Sequence, residues 1–279
     1  MHGKAKIEIS KMINVFRIIG ERRVCELAVN VEGLCVMYGS IRAVDGLCFK
    51  VKCGEIYGLL GPNGAGKSST LKVLAGLLEP TYGTIEIFGK PISEEVEVKR
   101  LIGYVPEETV LLESLTPREF FEFVASVRKL GKEVNSRLYK LVSAFELAEY
   151  FDTPIATLSM GTKRKVSVIA ALLHEPSLLI LDEPLIGLDA RASKILKELI
   201  VHHASRGGAV IFSTHIMEVA EKICHRVGII NKGKLVGEGT VNELRQLIRS
   251  AEGSLEDIFL KVTQQENGIR DLIAALEER

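Results

Sequence analysis

The chain has 279 residues, enough to bury a sizeable core as one elaborated α/β domain or two small ones. Lysine plus arginine and aspartate plus glutamate each total 36, so the formal charge is zero and no basic field directs the chain to nucleic acid, which is not expected as a partner. Five cysteines without a C-x-x-C pair speak against zinc or a disulfide framework and suit a reducing cytosol, and no apolar run reaches the ~18 residues that span a bilayer.

Residues 1–28 mix charges with short apolar runs and carry no motif; an added amphipathic helix, a tail and a misplaced start codon are all open for them. From Val29 the apolar positions alternate, through Val31, Leu34 and Val36 and then Val44, Leu47, Phe49 and Val51, which predicts short antiparallel strands joined at Tyr38-Gly39-Ser40. A buried strand, Ile56 to Leu60, runs into Gly61-Pro62-Asn63-Gly64-Ala65-Gly66-Lys67-Ser68 and then into the helical stretch that opens with Ser69. Thr84 to Phe88 reads as another strand of the first small sheet.

Between Thr116 and Ala171 the spacing turns helical, with Phe120, Phe123, Val124 and Val127 on one face and Leu138, Leu141, Val142 and Phe145 on another. This predicts a helical insertion over about 107–175. The continuous apolar runs Leu178 to Leu181 and Ala209 to Phe212 are strands covered on both faces, with a helix from Arg191 to His203 between them. That β-α-β order implies parallel strands that bind ligands at their carboxyl ends.

Three strand ends thus bring different groups to one crevice. The loop from Gly61 to Ser68 is a phosphate loop: its glycines let backbone N–H groups turn inward around a polyphosphate at a helix N-terminus, and Lys67 adds a mobile cation. Asp182 follows four apolar residues and needs a positive partner, for which a hydrated Mg²⁺ shared with the Ser68 hydroxyl is the candidate. Glu183 stands next to it and is placed to deprotonate a water that attacks a γ-phosphate; the competing reading is a pair of acids capping a helix. His215, after the third strand, is a candidate γ-phosphate sensor.

These residues resemble the ATP-binding cassette family, over about Val29 to Leu260. Leu158-Ser159-Met160-Gly161-Thr162 is similar to the family's signature segment, and Leu178 to Pro184 to its Walker B strand with Glu183 as the catalytic acid. Gly187-Leu188-Asp189 resembles the D-loop, Ser213-Thr214-His215 the switch histidine, and Tyr38 the aromatic residue that stacks on adenine. The resemblance implies an α/β fold: a P-loop NTPase core, RecA-like with a mostly parallel sheet, an antiparallel β subdomain and a helical insertion. It implies ATP as ligand, contacted by Tyr38, Gly61, Pro62, Asn63, Gly64, Ala65, Gly66, Lys67, Ser68 and Ser69, with Mg²⁺ held by Ser68, Asp182 and Glu107. It further implies a second cassette, the same chain or a related one, whose Ser159 and Gly161 meet the γ-phosphate held by Lys67.

Two positions depart from the family. Met160 and Thr162 replace common Gly and Gln while Ser159 and Gly161 remain. In Gly103-Tyr104-Val105-Pro106-Glu107 the family has Gln at the last position, where it touches Mg²⁺ or the attacking water. Glu107 puts a full charge there; a metal ligand, a group that stands back and a protonated acid are all open. The stretches Gly233 to Gly239 and Leu255 to Leu260 resemble the tail of exporter cassettes. The expectation is an ATPase subunit, domain 29–240 with a helical tail over 241–279. It is expected to lie on the cytosolic face of the membrane and to serve an integral permease on a separate chain. A soluble cassette of DNA repair or translation is the alternative. A GTPase, suggested by Asn231-Lys232-Gly233-Lys234, lacks the base-reading Asp, so that stretch is expected to be a turn between strands.

Overall fold

The computed structural model describes residues 26–247 and 254–263, so the reading of residues 1–25 and parts of the C-terminal tail lie outside the described residues. Alternating apolar residues make β1 (Leu27–Tyr38) and β2 (Ile41–Lys52), which pair antiparallel and bury one face each. β4 (Tyr82–Ile87) pairs with β1, and β5 (Lys90–Pro91) with β4, giving the order β2-β1-β4-β5. This is the expected small sheet, although its first two strands are long at 12 residues each and bulged rather than short.

The second sheet contains β3 (Ile56–Leu60), β6 (Ile102–Val105), β7 (Leu178–Asp182), β8 (Ala209–Thr214), β9 (Arg226–Asn231) and β10 (Lys234–Gly239) in the order β10-β9-β3-β8-β7-β6. β10 runs antiparallel to β9 and every other neighbouring pair is parallel. The turn between β9 and β10 holds Lys232 and Gly233 at positive φ, as expected for Asn231 to Lys234. β3, β7 and β8 are buried at every position, because helices or the other sheet cover both faces. Leu179, Leu181, Val210 and Phe212 point into a core shared with the helical insertion, whereas Leu178, Ile180, Ala209 and Ile211 point toward the antiparallel sheet. Residues on alternate sides of one strand thereby join two cores.

The helices are α1 (Lys67–Leu74), α2 (Glu95–Leu101), α3 (Pro117–Val127), α4 (Val134–Ala144), α5 (Met160–Leu172), α6 (Ala190–Ser205), α7 (Met217–Ile223), α8 (Val241–Leu247) and α9 (Leu255–Val262). α3 begins with a capping box, in which the Thr116 hydroxyl accepts from the Glu119 N–H and the Glu119 carboxylate accepts from the Thr116 N–H. In α4 and just beyond, Leu138, Leu141, Val142 and Phe145 are buried as the spacing predicts. In α3 the expected face is corrected: Phe121 is fully buried, while Phe123 and Val127 are exposed. Phe121 packs near Phe120 and Phe151, and removing its ring would cost about 3–5 kcal/mol. Leu255, Ile258 and Phe259 of α9 close a third core with Met217 and Leu244.

Among the described residues no helix is long and apolar enough to cross a membrane. Among the described cysteines Cys35, Cys48 and Cys224 are free, whereas Cys53 is disulfide-bonded, against expectation.

Candidate functional site

The phosphate loop leaves β3 and enters α1 at Gly66, whose φ of 107° is open to glycine and strained for other residues. A Cβ there would also lie 2.4 Å from the Ala43 carbonyl oxygen, so β2 closes tightly on the loop. Asn63, Gly64, Ala65, Gly66, Lys67, Ser68 and Ser69 line a cavity of about 300 Å³ together with Ala43, Glu107 and Glu183. Lys67 lies along this cavity with its ammonium donating to the Gly61 and Pro62 carbonyls at 2.7 and 3.2 Å. Burial lowers its pKa, and the charges of Glu183, Asp182 and Glu107 oppose that shift. The Tyr38 hydroxyl is 3.3 Å from the Ser69 hydroxyl, which sets the exposed ring at the edge of the loop.

Asp182 ends β7, Glu183 follows it directly, and both are almost fully buried. The Ser213 hydroxyl, in register with Asp182 on β8, donates to Asp182 Oδ1 at 2.6 Å and accepts the Glu183 N–H at 2.9 Å. Asp182 Oδ2 is buried without a hydrogen-bond partner. Asp182 lines a second cleft of about 810 Å³, and Ser68 and Glu107 line both cavities, so the two adjoin there. The Ser68 hydroxyl donates to Glu107 Oε2 at 3.3 Å. An unpaired carboxylate oxygen beside a hydroxyl and a second carboxylate is a hard oxygen set that fits Mg²⁺. Among the described residues there is no cluster of three or more acid, His or Cys side chains able to cage a metal.

Glu183 adopts φ +45°, a left-handed conformation uncommon for a non-glycine residue. Its carboxylate Oε2 is 3.0 Å from Nδ1 of the exposed His215. The competing reading of the two acids as helix caps fails, since α6 is capped by Asp189, whose carboxylate accepts the Ala192 N–H at 2.8 Å. That N–H and the ion pair with Lys165, 2.7 Å away, hold the Asp189 carboxyl below its usual range.

Ser159 and Gly161 open α5 and line neither cavity. The Ser159 hydroxyl caps the helix, accepting the Thr162 N–H at 3.1 Å. Met160 is 84% exposed, so this corner of the chain faces outward. A Cβ on Gly161 would lie 2.6 Å from the Gly187 carbonyl oxygen, which packs the start of α5 against the loop before α6.

The sequence reading gave no role to two residues that the structure puts behind the site. Ser213 was legible as a hydroxyl ending an apolar strand. Arg164 lies in the basic run Lys163-Arg164-Lys165, which suggests a solvated face. Its signal was helical spacing, since Ser167, Val168 and Ala171 at i+3, i+4 and i+7 are all buried.

A strand–loop–helix cradle beside parallel strands that end in acids and a hydroxyl defines an α/β nucleotide hydrolase. A family model described as "ABC transporter" matches residues 44–186. The ABC-type transporter ATP-binding protein EcsA of Bacillus subtilis is 37% identical over 243 residues, covering 86% of this chain and 98% of that protein. Nod factor export ATP-binding protein I of Paraburkholderia xenovorans is 35% identical over 256 residues, 91% of this chain and 83% of that one. A solved structure of the ATP binding subunit of an ABC transporter is similar at TM-score 0.81 and 34% identity, with 85% of this chain and 99% of that chain covered. The chain belongs to the ABC transporter family, as an ATP-binding subunit that hydrolyses ATP. The transporter reading thus prevails over the soluble cassette.

Proposed function

We propose that ATP lies along the 300 Å³ cavity, with its phosphates on the backbone N–H groups of residues 63–69 and its adenine against Tyr38. Lys67 exchanges the Gly61 and Pro62 carbonyls for the β- and γ-phosphates. Ser68, Asp182 and Glu107 would hold Mg²⁺, and the observation that carries this reading is the unpaired Oδ2 of Asp182, a residue that lines the same cleft as the other two. Mg²⁺, when bound, offsets the charge of the phosphate oxygens. Glu183 takes the proton of a water as its oxygen bonds to the γ-phosphorus and the bond to the ADP oxygen breaks. His215 steadies the Glu183 carboxylate through Nδ1 and faces the γ-phosphate.

The exposed position of Ser159 and Met160 at the start of α5 supports a site completed by a second cassette, whose hydroxyl and helix N-terminus would meet the γ-phosphate. The larger cleft, lined by Leu77, Val110, Phe120 and Val124 as well as Glu107, is the face offered to a permease on a separate chain. Exposed Val110 and Leu77 support this docking, which would hold the subunit on the cytosolic face of a membrane. Export is the favoured direction, on the likeness to the Nod factor export protein.

The composite site is tested with two variants. Glu183→Gln, which binds ATP and turns it over slowly, is expected to run as an ATP-dependent dimer by size exclusion. Adding Ser159→Arg should return it to monomer with ATP binding intact. A monomer in both refutes the composite site, and lost ATP binding in the second would put Ser159 on its own chain's nucleotide. Co-purification of a multi-span chain from membranes tests the permease.

A further inference from the structure

Arg164 is 2% exposed, and its guanidinium is enclosed by backbone carbonyls. Nη1 donates to the Pro106 carbonyl and, at 3.0 Å, to that of Glu107; Nη2 donates to those of Asp182 at 2.9 Å and Glu183 at 2.5 Å. One side chain on α5 thereby joins the connection between β6 and α3 to the end of β7. Burial draws the guanidinium pKa down, while the charges of Asp182, Glu107 and Glu183 push it up. A buried cation needs acceptors for its donors, and here both terminal nitrogens serve two acceptors each, while Nε is buried without a partner.

The acceptors are not arbitrary carbonyls. Three belong to Glu107, Asp182 and Glu183, whose side chains line the two cavities. Glu183 is also the residue at φ +45°, a conformation that persists where surroundings hold it. Ser213 holds its N–H and Arg164 its carbonyl oxygen, so both ends of the residue are restrained.

We propose that Arg164 is a positioning residue for hydrolysis: by clamping the carbonyls of Glu107, Asp182 and Glu183 it sets the Glu183 carboxylate against the reacting water and the Glu107 carboxylate against Ser68. The inference rests on the role proposed for Glu183. Arg164 lines neither cavity and acts through the backbone of the residues that do.

Arg164→Lys keeps the charge but loses the planar fork, so it can serve one carbonyl pair and not both. The expected result is a kcat lower by about 10- to 100-fold, with the Kd for ATP within about threefold of wild type and the melting temperature within a few degrees. Combined with Glu183→Gln it should add no further loss of kcat, because both substitutions strike the same step. Wild-type kcat in Arg164→Lys, or multiplied losses in the double variant, overturns the inference. If the lysine variant does not fold, Arg164→Met, which keeps an unbranched stem without the cation, takes the same readings. ATP affinity and turnover falling in parallel in the variant that folds would mark a structural role and overturn the inference as well. Wild-type turnover in Glu183→Gln alone would instead remove Glu183 as base, so the two readings fail separately.

Discussion

The Ser213 hydroxyl donates to Asp182 Oδ1 at 2.6 Å, across the β7–β8 pairing that sets the two residues side by side. This bond leaves Oδ2 as the free oxygen of that carboxylate, and it orients a group that would otherwise rotate. Ser213→Ala is expected to lower turnover by about 10- to 100-fold and raise the half-saturating Mg²⁺ concentration. It also strands the buried Glu183 N–H, at a cost of about 1–3 kcal/mol of stability. Thermal unfolding and an Mg²⁺ titration of the ATPase rate check both parts. An unchanged titration would show that Asp182 needs no such orientation.

Lys67→Ala removes the cation that Gly61 and Pro62 hold beside the cavity. Loss of one charge-assisted contact to phosphate, worth about 1.5–3 kcal/mol, predicts ATP binding weaker by roughly 10- to 100-fold in calorimetry. Wild-type affinity and turnover together would contradict the phosphate-loop assignment.

Glu107→Gln restores the residue usual in the family and removes one charge beside Ser68. Weaker metal binding and weaker repulsion of the γ-phosphate oppose each other. In the proposed site Ser68 and Asp182 would still serve the ion, so turnover at saturating Mg²⁺ should hold or rise while the half-saturating Mg²⁺ increases slightly. Coincident titration curves for the two proteins would put Glu107 outside the metal shell.

Burial lowers the imidazole pKa of His174 to about 4, with the Arg128 charge adding to it, and burial lowers that of His203 to about 4. Both folded values lie below the unfolded value near 6.5, so the unfolded chain takes up protons first. Stability from these groups is complete above pH 6.5 and is lost as pH falls toward 4, by about 1.4 kcal/mol per pH unit for each ring. Urea unfolding between pH 7 and 5 should show this slope, and His203→Gln should remove one ring's share. An identical slope in the variant would contradict the assignment.

The phosphate loop, the strand ends and the two sheets were legible because each is written in neighbouring residues: glycines at fixed spacing, or apolar runs that end in an acid. Elements set by distant packing were not. Phe120, Phe123, Val124 and Val127 fit a helical stripe, but α3 turns Phe121 inward toward Phe151 and leaves Phe123 outside. Arg164 carries a charge that composition assigns to solvent, and only its four carbonyl partners, drawn from segments 18 or more residues away, explain its burial. The contact between Glu107 and Ser68 spans 39 positions and has no local signature.

Both neighbours of β3 in the sheet, β8 and β9, come from residues 209–231. During synthesis the strand that launches the phosphate loop therefore waits for most of the chain before it gains a hydrogen-bonded partner. Contacts of such long sequence separation form slowly, and an apolar strand left unpaired meanwhile is prone to aggregate. A nascent chain that stops before β8 has neither neighbour for β3, so the nucleotide cavity can assemble only late, and ATP can report on folding only in its final steps.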